Sequence, residues 1–565
     1  MLMIQKYGLI LIIFFVQCKV EEKADSIFFN GKIYTADSKD AVVQALAVKN
    51  GQILAIGTDQ DILKFKSDNT QMNDLDGQFV MPGLIEGHGH FLSLGKSVLN
   101  LNLLQTKNWD EITQKVAEKL KTIPPGEWLE GMGWHQEKWN KNPGLTVNGY
   151  PFHDDLSKIS PDNPVILQHA SGHALIANQK AMELASINSE TNSPAGGRIV
   201  KDASGKLTGV FEENAMNLIF NAFQQSLQQK TKSQQLDLLK LQAYHANTLC
   251  NQFGITSFQD AGSSLEEIRA LKSLCDSQQL SIRLYVMLLN DTDSTLSELD
   301  QLPIPMNQNQ TFSCKAVKAY LDGALGSYGA WLLAPYADKS DFYGQNTLPI
   351  SKLQQIATAC KRKGLQLCVH GIGDRGNREI LNVFENQLKS SNFDQRWRIE
   401  HAQHLDTLDI PRFKALGVIA SMQAIHCTSD APFVIKRLGF ERARQGAYAW
   451  RSLLNAGAHL ANGTDCPVES VNPFECMYAA ITRKRLDSGL EFFPEQKMSR
   501  IEALRSYTIW NAYAAFEESI KGSLEVGKIA DFIILDRNLM ECNDSEVAGC
   551  KVTKLIFGGK ERTIN

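Results

Sequence analysis

Met81-Pro82-Gly83-Leu84-Ile85-Glu86-Gly87-His88-Gly89-His90 reads as a strand that runs out into two histidines. Phe79, Val80, Met81, Leu84 and Ile85 supply its apolar lead-in. In extended backbone, residues two apart face the same side, so His88 and His90 present their imidazoles together. Neutral imidazole binds zinc well. Taken alone, the pattern also fits a solvated turn that happens to carry two histidines.

Outward from this strand, other apolar runs end on polar residues at regular intervals. Gly364-Leu365-Gln366-Leu367-Cys368-Val369-His370 ends on a histidine, Arg398-Ile399-Glu400-His401 on another, and Ala458-His459-Leu460-Ala461-Asn462-Gly463-Thr464-Asp465 on an aspartate. Upstream, Ala316-Val317-Lys318-Ala319-Tyr320-Leu321-Asp322-Gly323 is a further strand. A (β/α)8 barrel of ~250 residues allots ~31 residues to each strand–helix unit. His370 and His401 lie about one such unit apart, His401 and Asp465 about two, and Lys318 and His370 one unit with a long loop. The spacing predicts an α/β protein built on a TIM-like barrel. His88, Lys318, His370, His401 and Asp465 then fall at the C-terminal ends of strands one, four, five, six and eight, the rim where barrel enzymes place their chemistry.

These stretches resemble the amidohydrolase superfamily of metal-dependent hydrolases, and within it the YtcJ-like branch. The resemblance is carried by PGLIEGHGH at 82–90, VKAYLDGALGS at 317–327, CVHGIGDR at 368–375, IEHAQ at 399–403 and NGTDCPVES at 462–470. Echoes of the branch are GWHQEKW at 133–139, SGHALIANQKA at 171–181, GGRIVKDASGKLTGVFEE at 196–213, AYAWRSLLNAGAHLANGTD at 447–465 and the tail GSLEVGKIADFIILD at 522–536. The match runs over roughly 26–560.

The resemblance implies one or two divalent metals, zinc most often. His88 and His90 would hold the first and His370 and His401 the second, with Asp465 binding metal and moving the proton. Lys318 cannot ligate as an ammonium; carboxylated, it would bridge two metals, as in relatives with a lysine on strand four. The alternative is a lysine paired with Asp322 or Asp465. Imidazole and carboxylate ligands also suit manganese, iron or nickel. The reaction implied is hydrolysis of a non-peptide, amide-type carbon–nitrogen bond by a metal-held hydroxide. Ester or lactone hydrolysis, a mononuclear deaminase, and an inactive binding protein are the alternatives. Asp322 and His426 are further substrate-binding candidates; His404 and His459 read as structural.

The stretch from His90 to Lys318 exceeds by ~130 residues the ~94 that three units need. The excess is placed at about 100–245, as a large inserted domain. In this branch such an insert closes over the barrel mouth, which makes His135, Trp139 and His173 candidates for the substrate wall. Trp128, Trp134 and Trp139 suit the insert's own core equally well. Strand-like segments within 26–80 and 520–562 flank a barrel over 81–519, and neither set completes a sheet alone. Together they predict one small β-sandwich, since short isolated hairpins are marginal in water.

The 565 residues and 43% hydrophobic content can bury a large core. A net charge of −4 gives no basic footprint for nucleic acid, and the partner expected is a small molecule, with a homodimer open. Eleven cysteines without a CxxC pair form neither a disulfide framework nor a thiolate zinc site. Lys6 precedes the apolar run from Tyr7 to Val16, too short to cross a ~30 Å bilayer. That describes a secretory signal over 1–18. Cys18, followed by polar residues, resembles the lipid-modified cysteine of bacterial lipoproteins, facing periplasm or cell surface. Gln17 departs from the usual small residue there, which leaves soluble export and an uncleaved anchor open.

Overall fold

The computed structural model describes residues 22–564 apart from 104–105, 137–138, 170–173, 195–196, 290–294, 327 and 390–393. The expected leader with Cys18 lies outside the described residues, as does His173.

Eight parallel strands form the central sheet in chain order: Leu84–Gly89, Ile255–Ser263, Arg283–Leu289, Phe312–Tyr320, Gln366–Gly371, Arg398–His401, Ile419–Met422 and His459–Asn462. Strands covered on both faces need near-continuous apolar sequence, and Leu284-Tyr285-Val286-Met287-Leu288 supplies it, buried throughout. The helices between the strands carry their own start and stop signals. Ser264 and Glu267 form a capping box ahead of Leu265–Asp276, and Gly364, at φ 66°, ends Ile350–Lys363.

The seam between strands eight and one is bridged by a side chain. Asn511 Nδ2 donates to Ile85 O at 2.6 Å and to Asn462 O at 2.7 Å, while its Oδ1 accepts from Asn462 N at 3.0 Å. Asp465 N then donates to His88 O at 2.8 Å. The approach requires small residues, because a Cβ on Gly87 would lie 2.4 Å from Asn462 O. The result is a nearly closed TIM-like barrel. Its lower interior is filled by Tyr285, Met287, Ala316 and Cys368 packed on Ala515. Glu517 and Lys521 form a buried ion pair there, and Ser313 Oγ donates to Glu517 Oε1 at 3.1 Å.

Between strands one and two the chain builds a separate six-stranded sheet. Its order is Gly197–Lys201, Leu207–Glu213, Ala174–Ala177, Val165–His169, Leu129–Trp134 and Leu101–Asn102. Alternation sends successive residues to opposite faces. Val165 and Leu167 join Trp109, Trp134 and Leu156 on one side. Ile166 joins Leu175, Phe211, Ile219 and Phe223 on the other.

Strands from the two chain ends share a sheet ordered Lys560–Arg562, Val552–Phe557, Phe532–Leu535, Phe79–Pro82, Lys32–Tyr34 and Val42–Val43. Phe532 pairs with Pro82 and Ile534 with Val80, antiparallel. A second sheet of four strands, Gln52–Gly57, Ala45–Lys49, Ser26–Phe29 and Gln71–Asp74, contributes Phe28, Leu46 and Val48 to the same apolar cluster as Val80, Phe532 and Ile556. Arg283 of barrel strand three fastens this region to the barrel. Its Nε and Nη2 donate to Asp531 at 2.6 and 2.9 Å, both groups buried.

Candidate metal centre

Strand one delivers His88, fully buried, and His90 just beyond it, where the next helix begins. Lys318 and His370 come from strands four and five, and pairing sets Lys318 opposite Cys368 and Tyr320 opposite His370. Strand six ends on His401 with φ 75°, followed by Ala402 at 42°. Strict alternation would give Arg398 and Glu400 one face and His401 the other. Yet His401 lies against His88 and His370, with ring centroids 4.9 and 4.4 Å away. The left-handed backbone at 401–402 accompanies that departure, the kind of strain that gathers at functional sites. Asp465 follows strand eight, also left-handed at φ 59°.

Asp465 is the hub. Its Oδ1 lies 3.3 Å from His90 Nε2 and 3.5 Å from His88 Nε2, and its Oδ2 lies 3.3 Å from His426 Nε2. Among the described residues two groups can each converge on an ion, His88 with His90 and Asp465, and His401 with His426 and Asp465, each with ligand atoms within 4.8 Å of one another. The pairing expected from sequence, His370 with His401, is in ring contact, but His426 takes the third place in the second group.

The electrostatics suit a cation. Burial, then the neighbouring Lys318, takes the His370 pKa down to about 3, and burial with His370 takes His401 well below its ordinary value. Both imidazoles are therefore neutral, the ligating form. Burial opposes ionisation of Asp465, but the hydrogen bond with His426 and the close imidazoles of His88 and His90 outweigh it and hold the carboxyl well below the usual range. Burial also opposes charge on His426, yet Asp465 and Glu469 carry its pKa up to about 10. That protonated state describes the site without a cation; a metal on Nε2 would replace the proton. Burial lowers the Lys318 amine as well.

Buried polar groups normally find a partner. Here His88 Nε2, His370 Nε2, Lys318 Nζ and Asp465 Oδ1 make no hydrogen bond. His88 Nε2 and Asp465 Oδ1 approach each other without an aligned bond. Three of these residues line one cavity and His88 sits beside Asp465; two imidazole nitrogens and a carboxylate oxygen among the orphaned atoms fit a divalent metal. The cavity has a volume of about 380 Å³ and is walled beyond the histidines by Tyr320, Leu325, Phe433, Asp430 and Glu469.

The remaining sequence candidates fall elsewhere. Asp322 is buried and its oxygens accept from the backbone N–H groups of Trp331, Ile372 and Gly373 at 2.8–3.0 Å, so it organises the loops after strands four and five. Trp139 packs against the core of the six-stranded insert sheet beside Trp109 and Trp134, and the His135 and His169 rings lie tilted with centroids 4.5 Å apart. Neither is among the described residues that line the cavity. His426 does line it, on the helix Ala424–Leu438 that follows strand seven.

Sequence reasoning missed Glu400 and Gln423. Glu400 makes a short hydrogen bond with His88 Nδ1, and Gln423 Oε1 accepts from His401 Nδ1 at 2.7 Å. Both contacts occupy Nδ1 and leave Nε2 available, that of His88 toward Asp465, the orienting role that partners of ligating histidines play. Glu400 had a signal, since it shares the inward face of its strand with Arg398. Gln423 had none.

Residues 71–562 match the model of the amidohydrolase family. The chain is 32% identical over 549 residues to the protein LONG AFTER FAR-RED 3 of Arabidopsis thaliana, covering 95% of this chain and 91% of that one. It is 28% identical to YtcJ of Bacillus subtilis, over 95% of this chain and 98% of that one. It is 26% identical to an N-substituted formamide deformylase of Arthrobacter pascens, over 95% of this chain and 97% of that one. Among solved structures, an uncharacterized metal-dependent hydrolase from Pyrococcus horikoshii superposes with a TM-score of 0.75 at 25% identity, over 92% of this chain and 99% of that chain. With a family model spanning most of its length, and a barrel whose rim gathers histidines around an aspartate, the chain belongs to the amidohydrolase family, hydrolases of carbon–nitrogen bonds.

Proposed function

We propose that the protein hydrolyses an amide-type, non-peptide carbon–nitrogen bond of a small molecule at a two-metal site. The observation that carries the reading is a set of orphaned polar atoms, on His370, Lys318 and Asp465 lining one cavity and on His88 beside Asp465. In this reading His88, His90 and Asp465 hold one ion, most often zinc in such sites, and His370 and His401 hold the second. Lys318 would supply a further ligand if carboxylated, its amine adding to carbon dioxide with loss of a proton to give a carbamate whose oxygens could bind metal. An amine with no hydrogen-bond partner, whose pKa burial lowers, favours this addition.

Divalent ions in such a site lower the pKa of water and polarise a carbonyl. The chain's own groups do the rest. Asp465 takes the proton of the attacking water and returns it to the leaving nitrogen. His426, between Asp465 and Glu469, faces the substrate. Gln423 and Glu400 keep the imidazoles of His401 and His88 turned inward. A 380 Å³ cavity holds a small molecule.

The reading extends to the molecule. The sheet inserted between strands one and two is a domain that covers the barrel mouth. The sheets from the chain ends form a composite β-sandwich. The leader exports the protein, with Cys18 as its lipid anchor.

Metal analysis combined with a panel of N-formyl, N-acyl and lactone substrates tests the activity. Turnover of the amide substrates that follows metal content is expected. Turnover of lactones alone, or undiminished turnover by metal-free protein, contradicts the reading.

A further inference from the structure

Beneath His88 the barrel interior pairs Glu400 with Arg398, a fully buried arginine that the catalytic reading does not use. Glu400 Oε2 meets His88 Nδ1 in a short hydrogen bond. Arg398 Nη2 donates to the same oxygen at 3.0 Å, and its Nε lies 2.7 Å from Glu400 Oε1 as an ion pair rather than an aligned bond. The guanidinium reaches across the barrel. It donates to Gly87 O of strand one and to Ser421 Oγ of strand seven, both at 2.7 Å, and to Gln259 Oε1 of strand two at 2.5 Å. Gln259 Nε2 in turn donates to Asn511 O at 2.6 Å, the residue that bridges the barrel seam.

Two charges without solvent are a poor route to stability, because replacing such a pair by apolar residues of similar volume is often neutral or stabilising. Their geometry suggests another use. A carboxylate on Nδ1 holds the proton there and leaves Nε2 as the lone-pair nitrogen. Nε2 is the atom of His88 that points toward Asp465 and lacks a partner. Arg398 fixes where Glu400 sits, and its bond to Gly87 O fixes the strand one residue before His88.

We infer that Arg398 and Glu400 form a positioning pair that sets the tautomer and aim of His88 and thereby tunes the affinity of the metal His88 would hold. The inference rests on the metal-centre reading above, and its failure is distinguishable from failure of that reading. If the native protein binds no zinc, the reading fails; if it binds zinc and the variants bind it as tightly, the positioning role fails.

The experiment uses the full chain, loaded with zinc and titrated against a competing chelator, with selective ¹⁵N-histidine spectra of the metal-free protein. Glu400→Gln keeps an acceptor without the charge, and Glu400→Leu with Arg398→Leu removes both buried charges together. Zinc affinity is expected to fall ~10–100-fold in the double variant and less in Glu400→Gln. The His88 nitrogen signals, assigned by their loss in His88→Ala, should shift from the Nδ1–H form toward the Nε2–H form in the double variant. A folded double variant with unchanged zinc affinity and an unchanged His88 tautomer overturns the proposal. Loss of the fold in both variants also overturns it, because that assigns the pair to stability.

Discussion

At the scale of single residues, the site depends on what a side chain is denied as much as on what it touches. Lys318 is a charged residue by type, buried by its strand, and without a hydrogen-bond partner. Lys318→Ala is expected to cost more than ~100-fold in turnover, beyond the 10–100-fold typical of outer contacts to a metal ligand, with loss of at least one metal and an intact fold. Metal analysis with circular dichroism measures both. Partial rescue by short carboxylic acids with added metal supports the bridge, whereas full metal content with near-native turnover contradicts it. Gly463 shows the opposite constraint, space. A Cβ there would lie 2.3 Å from Glu86 Oε1 and 2.4 Å from His88 N. Glu86 cannot yield easily, since it is buried and accepts from Thr464 N at 2.7 Å. Gly463→Ala should therefore destabilise by ~1–3 kcal/mol, the usual range for overpacking, and weaken metal binding by displacing His88. A denaturant melt unchanged from native shows the packing argument to be wrong.

At the scale of elements, two junctions matter. Arg283 and Asp531 tie barrel strand three to the shared terminal sheet through a bidentate, buried bond. Removing one partner of such a pair leaves a buried unpaired charge, so Asp531→Ala should cost ~3–5 kcal/mol. The zinc stoichiometry of the remaining folded protein should not change, because the pair contacts none of the candidate ligands. Loss of zinc from folded Asp531→Ala would link the terminal sheet to the site. The inserted sheet has its own core around Trp134, which is fully buried and donates from Nε1 to Leu167 O at 2.8 Å. Trp134→Ala should lose ~3–5 kcal/mol. Proteolysis should then open the insert while the barrel resists; cleavage spread evenly over the chain contradicts its having an independent core.

At the scale of the molecule, strands one, four, five, six and eight bring their groups to a single rim, two of them from strand one, so the site exists only when the barrel closes. A ligand that binds only the closed form stabilises it, by ~2.7 kcal/mol at a concentration 100-fold above its dissociation constant. Chelation is therefore expected to lower the melting temperature and abolish hydrolysis, with zinc restoring both. A melting temperature unaffected by chelator in metal-containing protein contradicts the closed-rim account. Buried polar groups below the site also draw on distant segments: Glu517 accepts from Ser313 Oγ, and Arg398 donates to Gln259 Oε1.

The periodic features are legible in the order of residues alone. Apolar runs at barrel-unit spacing located the strands, and polar residues at their ends placed His88, Lys318, His370, His401 and Asp465 at one rim. Both signals are local and repeat with the strand–helix unit, so they survive without coordinates. Only the tertiary structure decided which polar residues share a point. His426 joins the His401 group because its helix turns back toward Asp465. Asp322 is taken up by backbone donors from two loops, and Trp139 by the insert's own core. His401 enters the cluster through a left-handed kink that alternation does not anticipate. Glu400 reaches His88 across the barrel from a strand more than three hundred residues away. Contacts of that kind depend on how distant segments pack, and side-chain type and spacing carry no direct record of it.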